Sequence, residues 1–441
     1  MRYNPVDPVL AVTLCLLLTA CLPASAESEY ALWADYYAWR KVDAHAEAQQ
    51  AALELVEFTR SRHGEHSAQF GKALAELGVT QVLLGQYDEA FKGLSRAELI
   101  LKQQLPLYSA ELLSPLTFLG SALQAVERHE EALDAFTRAQ HITHRLWGAH
   151  NDTQIRIVYA KADSLQALGR LQDAEHLQHT AYQLQRTNYG VRSTEAIEAS
   201  ARLGNWLRSI GAYHEAIRHF HGAIDEIQGS GPDIPEAYPL LRGMAHAYRG
   251  GYRGRYARSM YQRILAMMAE HPDRFSLDER IGAYLDYGDW AMQRYHEGEA
   301  VEQYEQAWSL AEAAGPDGKR WIEYLANPQL VRFGEMAPFD VSGGNEFIAF
   351  EFNLSDDGRP RKVKVVDHGA AKRASYEARR HFPKEVRFRP PIIDGEAVPL
   401  EALTSTMYVL PAHTLLEPEP VDSPQRLTDQ PAEFVTFEVG R

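Results

Sequence analysis

Eighteen histidines and sixty acidic residues in 441 make metal and acid–base chemistry the first thing to look for. A hydrolytic zinc site asks for imidazoles one helical turn apart with a carboxylate placed beside them, as in HExxH. His141 and His144, and His176 and His179, have helical i,i+3 spacing, but neither pair carries such a carboxylate and HExxH does not occur. His219 and His221 straddle Phe220 and fall on different sides of a helix. The adjacent acids Glu130-Glu131 and Asp356-Asp357 read as a solvated helix start and a hairpin turn, not as a glycosidase pair. A phosphate loop, a dinucleotide fingerprint and a GxSxG elbow are absent from the sequence. The only cysteines, Cys15 and Cys21, fall in the first 21 residues, which excludes a disulfide framework, a cysteine zinc site or a cysteine nucleophile in the body. These residues predict a non-enzymatic chain, with no catalytic, metal-binding or cofactor-binding residue and no cofactor.

Composition narrows the remaining possibilities to recognition. The chain is 45% hydrophobic and 24% charged, with a net charge of −15. It is too apolar for disorder and long enough for two or more domains. The acidic balance argues against nucleic acid as a partner. No apolar run after residue 26 is long enough to span a bilayer.

The elements that must position any recognition surface announce themselves by repetition. LGQYDEA (84–90), VERHEEA (126–132), LGRLQDA (168–174) and IGAYHEA (210–216) are spaced by 42 residues. The same spacing relates Gly78, Gly120, Ala162 and Gly204, and also Gly64, Pro106, Gly148, Gly190 and Pro232. Each unit reads as two amphipathic helices. On the second, Ala90, Leu94 and Ala97 recur as Ala132, Phe136 and Ala139, then as Ala174, Gln178 and Ala181, then as Ala216, Phe220 and Ala223. Offsets of four and three place each trio on one face. The small residues let the paired helix approach, and the large one fills the space beside it; Gln178 breaks the apolar pattern. Gly85, Gly169 and Gly211 suit a tight interhelical turn. Glu127 in the same slot predicts that positive φ is not demanded there. Ser114-Pro115 predicts an N-cap and first helical position. Weaker matches at Ala48, Ala52 and Leu55, at Ala257, Tyr261 and Ile264, and at Ala300, Tyr304 and Ala307 extend the series to about seven hairpins between 28 and 314.

Leu-Gly at 77–78, 119–120 and 203–204, followed by Gly-x-Tyr-x-x-Ala at 85–90 and 211–216, resembles tetratricopeptide repeats. The extra length resembles the longer-helix variety of kinesin light chains. The resemblance implies a right-handed superhelix whose first helices line a peptide-binding concave face. Carried onto this chain, the groove candidates are Ser121, Gln124, Arg156, Tyr159, Asp163, Gln166, Glu198, Asn205 and Arg208. Asn205 and Arg208, three apart, could supply charge-assisted donors to a peptide carboxylate, an incomplete version of the family's carboxylate clamp.

Periodicity changes after about residue 335. Ile348, Phe350, Phe352 and Leu354 alternate with polar or small residues as a half-buried strand. Ser355-Asp356-Asp357-Gly358 supplies a turn, and 362–366 returns as a second strand with Val363 and Val365 inward. Ala370, Ala374, Ala378 and Phe382 share a helical face. Val386 and Phe388 lead to Pro390-Pro391 and the Asp394-Gly395 turn, and 404–410 forms a last strand. This β-β-α-β order, with FEFNLSDDGRPRKVKVVDHG (350–369) and ARRHFPKEVRFRPPIIDGEAV (378–398), resembles the carboxy-terminal domain of TonB, which implies contact with envelope proteins, partly by strand addition. Between 359 and 389, eleven Lys/Arg face three acidic residues. Lys362, Lys364, Arg379, Arg380, Arg387 and Arg389 form a candidate basic patch. It suits an acidic protein, an anionic lipid or glycan, or docking onto the acidic repeats of the same chain.

The apolar run Val9–Ala20 and Ala24-Ser25-Ala26 resemble a cleavable export signal with a mature start at Glu27, while Leu18-Thr19-Ala20-Cys21 resembles a lipobox that would lipidate Cys21. An uncleaved anchor is the third outcome. The expected fold is mainly α: a tetratricopeptide-like α-α superhelix followed by a small α+β domain resembling the TonB C-terminal domain. The expected layout is a signal (1–26), repeats (28–314), a connector (315–344), the TonB-like domain (345–411) and an acidic, proline-containing tail (412–441) in which 434–437 forms a short edge strand. The expected function is an envelope scaffold or adaptor, the alternative a TonB-type component of outer-membrane receptor-linked transport. The expected partner is an envelope protein or peptide, not nucleic acid, with peripheral or lipid-anchored membrane association. The expected location is the periplasm or the periplasmic face of the outer membrane of a Gram-negative bacterium.

Overall fold

In hairpin after hairpin, a small residue on the first helix faces a large one sixteen positions later on the second. A Cβ added to Gly78 would fall 2.5 Å from Leu94, and one on Gly120 would fall 2.5 Å from Phe136. The same addition at Gly204 would fall 2.4 Å from Phe220, and at Gly288 2.4 Å from Tyr304. Glycine's roughly 1 kcal/mol helix penalty is offset by the apolar area these large residues bury. The fourth unit obeys the same logic by exchange: Ala162 replaces the glycine and Gln178 replaces the Leu or Phe. Gln178 is nonetheless buried, with its Oε1 left without a hydrogen-bond partner.

The computed structural model describes residues 24–228, 233–251, 254–333, 346–368, 372–409 and 437–439. The expectations for the export signal, Cys15 and Cys21, Pro232, Ala370 and most of the tail lie outside these residues. The chain divides into two compact units, one ending at Asn188 and the other beginning at Tyr189. In the first, α1 (Ala24–Lys41) pairs with α2 (His45–His63), α3 (Ala68–Leu83) with α4 (Tyr87–Gln104), α5 (Leu113–Ala125) with α6 (His129–Trp147), and α7 (Asp152–Ala167) with α8 (Leu171–Tyr189). In the second, α9 (Thr194–Ser209) pairs with α10 (Tyr213–Gln228), α11 (Tyr238–Gly250) with α12 (Gly254–Glu270), and α13 (Leu277–Gln293) with α14 (Glu297–Ala313). Ala90, Ala132, Ala174 and Ala216 are all fully buried, as are Ala48, Ala257 and Ala300 of the fainter repeats.

Caps repeat with the helices. Ser67, Asn151, Ser193 and Ser276 each accept the N–H three residues on, an interaction worth ~1 kcal/mol. Ser114 is not a cap: a 3-10 turn at Ala110–Leu112 runs straight into α5. Pro115 then sits in the first turn, where a missing N–H leaves no bond unmade. Glu127 corrects a second expectation. Asp43, Gly85, Glu127, Gly169, Gly211 and Tyr295 lie in one 42-residue series, and all have positive φ, between 54° and 80°. The slot demands the left-handed conformation whatever residue fills it.

After α14 come α15 (Lys319–Leu325) and strand β1 (Gln329–Phe333), both unanticipated in the stretch read as a connector. Then follow β2 (Glu346–Leu354), β3 (Pro360–His368), α16 (Lys372–Glu385), β4 (Val386–Arg389), β5 (Ile392–Ile393), β6 (Glu396–Ala397), β7 (Leu400–Val409) and β8 (Phe437–Val439). The main sheet has the order β3-β2-β7-β8, all neighbours antiparallel, while β1 pairs with β4 and β5 with β6. Its core joins Ile348, Phe350, Phe352 and Leu354 to Ala378, Phe382, Val386 and Phe388. Phe382 stacks on Phe350 at 4.4 Å between centroids.

Candidate functional site

The predicted groove residues fall on the first helices of their hairpins. In the first unit, Ser121 and Gln124 lie on α5, half-buried. The Gln124 amide donates to the Ala160 carbonyl (2.7 Å) and to Ser164 Oγ (2.8 Å), tying α5 to α7. Ser121 Oγ donates to the Thr117 carbonyl within its own helix. On α7, Arg156 and Asp163 are exposed, Gln166 is half-buried, and Tyr159 is buried with its hydroxyl donating to Gln185 Oε1 at 2.8 Å. Gln124 and Tyr159 therefore spend polar atoms on holding helices together, which residue type and spacing alone did not reveal.

In the second unit, Glu198 is exposed on α9, and Asn205 and Arg208 are half-buried one turn apart. Burial lowers the Arg208 guanidinium, and the charges of Arg249 and Arg242 push it the same way. Its Nε has no hydrogen-bond partner among the described residues. Arg242 and Arg249 come from the next first helix, α11, and were missed by the sequence reading because its repeat slips by one residue. Arg242 Nε donates to Asp286 Oδ2 at 2.7 Å, and His246 Nε2 lies 3.2 Å from the same oxygen. Burial works to raise the Asp286 carboxyl, but His246 and Arg242 outweigh it and hold it well below the usual carboxylate range. Arg249 Nε donates to Gln293 Oε1 at 2.7 Å. Arg208, Arg242 and Arg249 thus lie on α9 and α11, and the Asp286 carboxylate of α13 beside them is engaged by Arg242 and His246.

The basic patch is divided. Arg379 and Arg380 are exposed on α16, Lys362 is exposed on β3, and Lys364 pairs with Glu351 across the strands at 3.0 Å. Arg387 and Arg389 are buried against the last helical pair. Arg387 Nε donates to Glu297 Oε1 at 2.9 Å, and its Nη1 donates to the carbonyls of Pro383, Lys384 and Val386. Arg359 joins it on Glu297, with Nε 3.0 Å from Oε1. Burial works to raise the Glu297 carboxyl, yet hydrogen bonds from Arg359 and Arg387 bring it down to about 2. Arg389 Nη2 donates to both Asp289 oxygens (2.9 and 3.0 Å), and its guanidinium lies 5.1 Å from the ring centroids of Tyr304 and Tyr324. Of the destinations left open for the patch, these two arginines take docking onto the same chain.

Both Asp-Gly turns press on the same helices. A Cβ on Gly358, whose φ is +78°, would meet the Phe388 carbonyl at 2.1 Å and Met292 at 3.0 Å, and one on Gly395 would meet Trp308 at 3.3 Å. β1 adds a further tie, since Gln293 Nε2 donates to the Val331 carbonyl and Arg332 Nη1 to the Gln293 carbonyl. The residues that carried the resemblance to TonB are therefore largely those that seat this domain on α13 and α14.

No protein-family model matches the sequence, and no curated protein matches it. Among solved structures, the chain is similar to kinesin-light-chain-like TPR repeats from Podosopora anserina at 18% identity and a TM-score of 0.40, over 45% of this chain and 94% of that one. It is similar to a tetratricopeptide repeat protein from Parabacteroides merdae at 16% identity and 0.42, over 64% and 93%. It is also similar to the C-terminal part of a TPR repeat-containing protein from Cytophaga hutchinsonii at 14% identity and 0.42, over 65% and 97%. The tetratricopeptide-like reading of this fold rests on the helical pairs themselves.

Among the described residues, no three His, Cys, Asp or Glu side chains cluster as a metal site would require, and no helix is long and apolar enough to cross a membrane. His219, met first as half of a sequence pair, packs its Nε2 3.0 Å from Ser200 Oγ.

Proposed function

We propose that this chain is a non-enzymatic adaptor of the bacterial cell envelope that holds an acidic peptide or protein segment on the first helices of its second unit. One observation carries the reading: Arg208, Arg242 and Arg249 gather on α9 and α11, while the neighbouring carboxylate, Asp286, is already taken by Arg242 and His246. Arg208 keeps a buried Nε–H without an acceptor, and a ligand carboxylate would supply one in a charge-assisted bond. The envelope assignment comes from the amino-terminal export pattern, and the TonB-like domain serves as a second contact module, already seated on α13 and α14.

Fluorescence anisotropy with a dye-labelled acidic peptide tests the groove. A free carboxy terminus should bind more tightly than its amide, and Arg208→Ala should weaken binding about tenfold, or 1.4 kcal/mol. Equal affinity for both peptides and both proteins would overturn the assignment. Mass spectrometry of the mature amino terminus tests export: a start at Glu27 or a lipidated Cys21 supports it, and an intact Met1 in the cytosolic fraction contradicts it.

A second reading, a TonB-type component of receptor-linked transport, is favoured by the order β2, β3, α16, β7. It predicts retention of residues 9–20 and co-purification with the proton-channel proteins of the inner membrane.

A further inference from the structure

Gly254, Arg255, Arg258, Trp290, Arg294 and His296 line a cavity of about 290 Å³. It lies where the start of α12 meets the end of α13 and the turn into α14. Three arginines line it. Arg258 Nη2 donates to Glu299 Oε2 at 2.7 Å, and the other Glu299 oxygen accepts the Tyr287 hydroxyl at 2.5 Å, so that carboxylate is fully engaged. Arg255 and Arg294 have no carboxylate partner among the described residues. The Arg294 guanidinium lies against Gly254, 3.4 Å from where a Cβ would sit. Two buried donors of the lining residues also lack acceptors among the described residues: the Arg258 Nε–H and the indole Nε1–H of Trp290, a residue only 2% exposed. Leaving a buried donor without an acceptor is unfavourable. The positive end of the α12 dipole adds to the field.

We propose that this cavity is a binding site for the oxyanion group, carboxylate or phosphate, of a small molecule. The oxyanion supplies acceptors to donors that the protein leaves unpaired and neutralises the excess charge of Arg255 and Arg294. Arginine's planar fork suits either group.

Isothermal titration calorimetry on the full chain, with inorganic phosphate and with benzoate at constant ionic strength, tests the site. The expected result is saturable one-to-one binding of at least one probe. Phosphate alone points to a phosphorylated ligand, benzoate alone to an organic carboxylate, and both to general oxyanion recognition. Arg294→Gln should weaken binding at least tenfold, and Trp290→Phe, which keeps a ring but removes the N–H, should weaken it several-fold. Thermal melts establish that each variant is folded. Arg294→Gln should leave the acidic peptide's affinity for the Arg208 groove unchanged, which separates the two sites. Absence of saturable binding by either probe, or binding that Arg294→Gln leaves unaltered, would overturn the proposal.

Discussion

Phe220 and Tyr304 hold the same place in their hairpins, each filling the hole above a glycine sixteen residues earlier, yet they face different surroundings. Phe220 packs close to Gly204 and Gly243, so it meets the next hairpin. Tyr304 packs on Gly288, but its hydroxyl donates to Asp289 Oδ1 at 2.9 Å, and Asp289 in turn holds Arg389 of β4. Glu127 and Tyr295 make a second such pair. Both occupy the left-handed turn slot and both are exposed, but Tyr295 also lies against the guanidinium groups of Arg332 (4.5 Å) and Arg387 (4.8 Å). The repeat framework is constant, and its last copy has been altered at the positions that receive the carboxy-terminal domain instead of another hairpin.

The largest expected effect separates these ends of the array. Arg389→Ala leaves Asp289 without its guanidinium partner, and denaturant unfolding should show a loss of roughly 3–5 kcal/mol for breaking a buried pair. An effect below 1 kcal/mol would mean that the contact is not stabilising. Phe220→Tyr should destabilise by about 1–3 kcal/mol, because the added hydroxyl enters a site that the ring already fills against Gly204 and Gly243, with Asn205 in the place of Asp289. If that variant were as stable as the parent, the contrast with Tyr304 would lose its meaning.

Acid should act on the domain contact. Glu297 is held at about 2, below its ordinary 4.5, so its contribution is complete above the ordinary value and disappears as pH falls through about 2. Near-ultraviolet circular dichroism from pH 5 to 2 should report loosening around Tyr295 and Tyr304, and Glu297→Gln should flatten that profile. The smallest effect has opposite signs in the two turns. Glu127→Gly should stabilise by roughly 1 kcal/mol by relieving the left-handed strain. Tyr295→Gly should destabilise, because the arginine contacts outweigh the same relief. Melting temperatures that move together would refute the distinction.

Much of the repeat array was legible because close helix packing leaves few choices of residue. A methyl group collides at Gly120, so the glycine returns with the spacing of the helices and marks it. What the sequence concealed were conformations and partners that several residue types satisfy. Glu127 and Tyr295 adopt positive φ without being glycine. β1 is five residues long and pairs with a strand more than fifty residues later, leaving no local pattern to find. Counting charges exposed the basic stretch, but Arg-Phe-Arg at 387–389 alternates like a strand with polar residues facing solvent, and nothing local shows that α13 and α14 cover that face. Among the groove candidates, position along the helix was readable, while the bonds that engage Gln124 and Tyr159 come from residues 26 to 40 positions away.

A double-mutant cycle between Arg389 and Asp289 tests the central claim, that the carboxy-terminal domain is fastened to the last helical pair. Arg389→Ala, Asp289→Ala and the double variant, compared by denaturant unfolding, should give a coupling energy of about 0.5–3 kcal/mol, the range for residues in direct contact. Additive losses, with no coupling beyond about 0.3 kcal/mol, would contradict it.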